Sequence, residues 1–364
     1  VTDGSGNLSF GSVAATRNLI INGAMQVAQR GTSVSASSGG YTTVDRFQQS
    51  ASNIANGVDI AQTSLSSSDT EPYEKGFRKA YKITNGNNTA DTNDQSKINY
   101  KIESQDIAGS GWDSVNSNSK VTLSFWVKSS VAQTFVVHIN ADDANKSYAF
   151  EYSATTSWTK ITHTIPGASG VTFNNDNGIG LNIQWFLYMG TDTTNNSFTY
   201  NAWGSYSGSS RSRDMTTTWQ TTDDATFEIT GVQLEVGSVA TDFEHRSFGQ
   251  ELALCQRYFF RTPAFGTGTT SIYLGSGVEA GSSARIAFIM PQVMRTAPTV
   301  TAGDLNSDDE QSTTDASTVS AVVAGSSNCD RMRIQLTGGS YNAGNAVSLV
   351  CANANGFLAG DAEL

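Results

Sequence analysis

The residues best suited to chemistry in this chain lie in one polar stretch, TYNAWGSYSGSSRSR, which starts at Thr199. Trp203 and Tyr206 are large aromatics there, with no apolar periodicity around them to bury their rings. Such rings stack on the apolar face of a pyranose while Asn201, Ser205 and their neighbours hydrogen-bond its hydroxyls. The alternative is that they pack on a sheet edge or a neighbouring subunit. A second candidate is the strand GIGLNIQWFLYMG. Trp185 and Tyr188 fall on opposite faces of it and cannot both be core, so Tyr188 or Phe186 is expected to line a concave face. Trp126 and Trp158 are either exposed or packed under a loop.

No catalytic constellation accompanies these rings, and the chain is not expected to be an enzyme. His138, His163 and His245 occur singly, without the H-x-x-x-H or H-E-x-x-H spacing of a metal hydrolase. No G-x-S-x-G elbow and no GxxxxGK loop is present. The adjacent pairs Asp142-Asp143 and Asp223-Asp224 sit in polar turns. Paired glycosidase carboxylates would be invisible at this stage, because the fold sets their separation.

Composition excludes further classes. The chain has 364 residues, enough for two or three domains with ample core. Its 22 basic and 33 acidic residues give a net charge of -11, which repels nucleic acid and anionic membrane surfaces. No apolar run approaches the roughly 18 residues of a membrane span, so neither a nucleic-acid partner nor membrane insertion is expected. Cys255, Cys329 and Cys351 form an odd set without C-x-x-C spacing, which signals neither a disulfide framework nor zinc. They read as thiols of a reducing cytoplasm, with Cys329 and Cys351 possible neighbours on adjacent strands. The first residue is Val1 rather than Met, which suggests a processed product or the ordered part of a longer polypeptide.

The elements that must position the candidate residues are strands. Only 15% of residues are charged, there are five prolines, and Gly, Ser, Thr and Asn dominate the polar positions, as short strands with tight turns require. VTLSFWVKSS shows the alternation most cleanly, with Val121, Leu123, Phe125 and Val127 on one face. YEKGFRKAYKIT, SKINYKIES, TFVVHIN, KSYAFEYS and WTKITHTIP continue the series, and NLIING reads as a compact strand ended by Asn22-Gly23. Asp45-Arg46 reads as a buried ion pair holding a loop.

The apolar face changes parity at Gly231, between Phe227 and Ile229 on one side and Val232, Leu234 and Val236 on the other. A glycine at a phase shift predicts a β-bulge. Beyond it, Leu252, Cys255 and Phe259 at helical spacing predict the one short helix. The region from about Thr262 repeats the strand pattern, with Ile334 and Leu336 alternating against Arg333 and Gln335, and the acidic run from Asp304 reads as an exposed loop. The expected architecture is all-β, a large sandwich followed by a smaller one with the helix at the junction. Its segments are 1–16, with too few apolar groups to fold alone, then 17–247, a helical linker over 248–261, and 262–364.

Two stretches, GVQLEVGSVATDFEHRSFGQELALCQRYF and NLIINGAMQVAQRG, resemble a module of tailed-bacteriophage virion proteins, tail-fibre-like chains with a carbohydrate-binding-module-like jelly roll. The resemblance covers roughly Arg17 to Phe260, and the remainder, to the closing DAEL, is similar to the small terminal domains of the same proteins. It implies a tail fibre that binds host-surface polysaccharide as receptor, works with other virion proteins as a homotrimer, and is assembled in the host cytoplasm. Residues 1–16 would then be a fibre-shaft-like segment, a disordered linker being the alternative. A head fibre or capsid decoration protein with weak or no glycan binding is the second reading. A polysaccharide-degrading tailspike is the third, against which the absence of short regular repeats argues. Carbohydrate-binding modules also form a structural calcium site between first and last strands. Glu235 suits it, but Gln26 stands where a carboxylate would help, so no metal and no cofactor is assigned.

Overall fold

The computed structural model describes residues 17–262, 273–279, 283–303, 305–308, 321–322, 329–337, 342–351 and 356–364. The expectations for residues 1–16 therefore lie outside the described residues. The chain divides into two compact units, Val1–Phe248 and Gly249–Leu364.

In the first unit the strands are, in chain order, β1 (Ser33–Ser37), β2 (Gly39–Gly40), β3 (Phe47–Ser52), β4 (Val58–Ser64), β5 (Lys79–Asn85), β6 (Gln95–Glu103), β7 (Lys120–Ser129), β8 (Gln133–Ala141), β9 (Lys146–Ala154), β10 (Thr159–Pro166), β11 (Ile179–Met189), β12 (Gly204–Ser205) and β13 (Thr226–Val236). They form two antiparallel sheets, ordered β1-β4-β5-β13-β7-β10 and β12-β9-β8-β11-β6-β3-β2. The core between them takes one parity of each strand: Leu123 and Phe125 from β7, Ile98 and Tyr100 from β6, Ile183 and Trp185 from β11. Phe125 meets Trp185 edge-on at 5.8 Å. This is the β-sandwich that the alternation predicted.

The bulge stands where the parity change placed it. Pairing of β13 with β7 shifts register between Thr230 and Gln233, and Gly231 has φ +61°. A Cβ there would lie 2.6 Å from Phe77 Cζ and 3.0 Å from Trp126 Cδ1, so both backbone and packing require glycine. The opposite face of β7 is covered too. Trp126 and Trp158 are buried in a second apolar cluster with Phe77, so the packed reading of those two indoles holds.

NLIING is not a strand. It is an irregular segment that turns at residues 21–24 and is tied to the bulged strand by Asn18, whose carboxamide donates to the Val232 carbonyl and accepts from the Leu234 N–H. Val232 N–H donates to Gly23 O, so closely that any Cβ on Gly23 would fall 2.1 Å from the Val232 oxygen. Arg246 closes the same junction by donating to the Ile20 carbonyl. Within the first unit, the two stretches that carried the family resemblance are thus joined through residues 18–23 and 232–246.

Asp45 and Arg46 are both buried, but Asp45 is held by the Gln29 side chain and by Arg30 at 3.9 Å. Arg46 donates to the Lys101 carbonyl and lies over the Tyr100 ring.

The second unit opens with a helix, α1 (Phe248–Gln256), which ends before Phe259; that residue begins β14 (Phe259–Arg261). The segment read as a linker therefore ends in a paired strand. β15 (Tyr273–Glu279), β16 (Ser283–Ile289), β17 (Thr299–Gly303), β18 (Leu305–Asp308), β19 (Ala321–Val322), β20 (Arg331–Thr337), β21 (Ala346–Cys351) and β22 (Phe357–Asp361) complete it. Its sheets run β14-β22-β17 and β18-β21-β15-β16-β20-β19, over a core that includes Ile286, Ile334 and Leu349. Of the acidic run, residues 305–308 form strand β18 rather than a loop, and the rest of it lies outside the described residues. Cys351 on β21 is separated from β20, which follows Cys329, by two intervening strands, so these cysteines are not on adjacent strands.

Candidate functional site

The side of the seven-stranded sheet that faces away from the core carries rows of polar side chains set by the register. One row reads Gln48, Asn99, Gln184, His138 and Ala149 across β3, β6, β11, β8 and β9. The next, on one side, reads Lys101, Asn182, Asn140 and Ser147. On the other side it reads Ser50, Lys97, Phe186, Val136 and Glu151. The strands alternate, so every residue here is the off-core neighbour of one in the sandwich.

The amides form a ladder. Gln184 donates to Asn99 Oδ1 at 2.7 Å, and Asn99 reaches Gln48 Oε1 at 3.4 Å. Asn140 gives its Nδ2 hydrogen to Asp142, which leaves Asn140 Oδ1 without a partner, and Asn182 Oδ1 is likewise unpartnered. His138 is fully buried, and neither ring nitrogen makes a hydrogen bond of good geometry, the Gln184 amide being a near neighbour. Burial pushes its imidazole down to about 3, with Arg211 and Lys97 adding to the shift and the Gln184 amide opposing it. Its ring stacks on Phe186 at 5.4 Å and meets Tyr206 edge-on at 6.1 Å.

Tyr206 arrives from the polar stretch that follows β11. That stretch lies along the same side of the sheet: Asn201 N–H donates to Ala149 O, and Tyr206 N–H donates to Asn145 O. It encloses a cavity of about 380 Å³ with β9, whose polar lining is neutral: Ser147, Thr199, Ser205, Ser207 and Ser210, beside Phe198 and Trp203. Trp203 is half-buried, packs against the core and against Tyr148 at 5.5 Å, and donates its indole N–H to the Pro166 carbonyl at 2.7 Å. Asn201 is exposed, in a left-handed conformation with φ +62°.

The predicted residues thus divide. Trp203 lines a cavity, and Tyr206 closes on the polar row. Tyr188 does not line an open face: it is 4% exposed while Trp185 is fully buried, so both are interior. Pairing of β11 with β6 shifts register between Phe186 and Tyr188, so Tyr188 stands opposite Ser96, on the parity of Ile98 and Tyr100, and not on the side of Phe186. Burial pushes its phenol up, with Asp94, Asp91 and Asp214 contributing. The amide rows were not foreseen, and their only sequence signal is polar residues at the off-core parity of otherwise apolar strands.

The remaining candidates have structural partners. Asp143 accepts from Ser104 and from the Asn174 backbone and side chain. His163 stacks on Phe150 at 3.7 Å and contacts the Tyr148 hydroxyl. Glu235 accepts from Thr241 and Gln233 and pairs with Arg17 at 3.5 Å. Among the described residues no three His, Cys, Asp or Glu side chains converge on a metal position. A larger cavity, about 950 Å³, lies on the other sheet, bordered by Phe77, Trp126, Phe243 and His245.

No family model matches the chain, and no curated protein matches it. Among solved structures it is similar to the family 11 carbohydrate-binding module of a Clostridium thermocellum cellulosomal cellulase, at 11% identity and TM-score 0.26, over 56% of this chain and 91% of that one. The xylan-binding domain of a Paenibacillus barcinonensis protein is similar at 10% identity and TM-score 0.26, over 57% and 94%. The enzymatically active domain of tailspike protein 4 from bacteriophage CBA120 is similar at 9% identity and TM-score 0.30, over 60% of this chain and 21% of that one.

Proposed function

We propose that the first unit binds glycan on the off-core side of its seven-stranded sheet, and that the chain serves as a receptor-binding part of a phage virion fibre. The observation that carries glycan binding is the meeting of amide rows holding unpartnered acceptors with a neutral, hydroxyl-lined cavity that has an indole wall. Sugar hydroxyls both donate and accept, and unpaired buried acceptors gain most from such a ligand. The virion role rests on the sequence resemblance, which also favours a homotrimer on the tail or capsid surface over a monomer. Binding proceeds without bond cleavage.

Calorimetric titration of host-surface polysaccharide into the full chain tests the proposal, with size analysis of the polysaccharide afterwards. Saturable binding with an unchanged size distribution is expected. Release of short oligosaccharides would make the chain an enzyme, and absence of heat with every host polysaccharide would remove the glycan reading. Light scattering should give three times the 38.6 kDa subunit mass.

A further inference from the structure

Lys97 stands on β6 in the row next to the amides, half-buried, and among the described residues no carboxylate pairs with it. The charge that acts on it is a like one, the Arg211 guanidinium, and burial together with that neighbour pushes its ammonium down to about 8. Arg211 is fixed beside β6 by donating to Gln95 Oε1 at 3.2 Å, and further along its own loop by donating to the Gly208 carbonyl. Neither partner is charged.

The buried imidazole of His138 feels both cations. The nearby acids accept from other groups: Asp91 from Thr89, Asp94 from the Asp91 N–H, and Asp214 from Thr194 and Asn196. A chain of net charge -11 has carboxylates to spare, yet it leaves two cations on one partly desolvated face without a counter-charge. Such an arrangement costs stability unless something supplies the anion.

We infer that Lys97 and Arg211 form an anion subsite for the carboxylate of an acidic sugar residue, such as a uronate or sialate, within the glycan held by the amide rows. The inference rests on the glycan reading and adds the charge of the ligand. A planar guanidinium grips a carboxylate through paired N–H groups, while the ammonium acts as a compact point charge beside it. The unpartnered carboxamide oxygens of Asn140 and Asn182 are left for ring hydroxyls.

The test is a glycan array that holds acidic members and their carboxyl-reduced counterparts, probed with the full chain and with its Lys97→Met and Arg211→Gln variants. The wild-type chain should favour the acidic members, and each variant should lose at least about tenfold on them with little change on neutral ones. Lys97→Met should also melt higher than wild type, because it removes an uncompensated charge and keeps the apolar stem; a residue with a purely structural role would lower the melting point. Equal binding of acidic and reduced glycans, or a preference that survives both variants, overturns the anion subsite and leaves the glycan reading standing. Binding to no member of the array overturns both.

Discussion

Trp203 is tied to Pro166 by a 2.7 Å hydrogen bond from its indole N–H to the proline carbonyl, so the ring that walls the cavity also fastens its loop to the end of β10. Trp203→Ala should therefore cost stability as well as affinity. A loss of about 2 kcal/mol is expected for a half-buried indole with one hydrogen bond. Denaturant unfolding and glycan titration on the same variant check this; loss of binding with unchanged stability would mean that the ring acts on ligand alone.

The amide rows give a second prediction. Asn182→Ala removes an acceptor that nothing in the fold uses, so its effect on the melting temperature should be small, whereas Asn140→Ala also removes the donor to Asp142 and should cost somewhat more. Each should weaken glycan binding by about 1 kcal/mol, the ordinary net worth of one hydrogen bond. Calorimetry resolves that difference, and unchanged affinity in both variants would move the ligand off this face.

Gly231→Ala should destabilise the first unit by about 2–4 kcal/mol, adding the left-handed backbone cost to the overlap with Phe77 and Trp126. Chemical denaturation measures it. A neutral result would show that the bulge relaxes freely.

Stability should depend on pH through the buried histidines. Burial holds His138 at about 3 and His163 at about 4, below the ordinary 6.5. Between those values the unfolded chain binds more protons, so stability is complete above about 6.5 and is lost as pH falls. The drop between pH 6.5 and 5 precedes most carboxylate titration, and His138→Phe should flatten it. Lys97 acts at the alkaline end: its depressed value makes stability rise from pH 8 towards 10.5, a slope that Lys97→Met should abolish. Melting curves across pH read both.

Much of this architecture was legible in sequence. The alternation in VTLSFWVKSS identified the core face of β7, and the parity change at Gly231 located a bulge because only one residue type tolerates both its backbone and its neighbours. The site was less legible for a topological reason. Gln48, Asn99, Gln184 and His138 are solitary polar residues on four strands, and only the order β8-β11-β6-β3 brings them into line. Tyr188 falls opposite Trp185 by simple alternation, and nothing local reveals the register shift after Phe186 that pairs it with Ser96. The residues of the stretch after β11 with the plainest chemistry, Trp203 and Tyr206, are partly engaged in holding it along the sheet.

Both margins of the seven-stranded sheet are strands of two residues, β2 and β12. Short edges offer too few unpaired backbone groups for another chain to extend the sheet. Chains held side by side therefore gain little by joining sheets edge to edge, and the long central strands keep their backbone pairing within one chain.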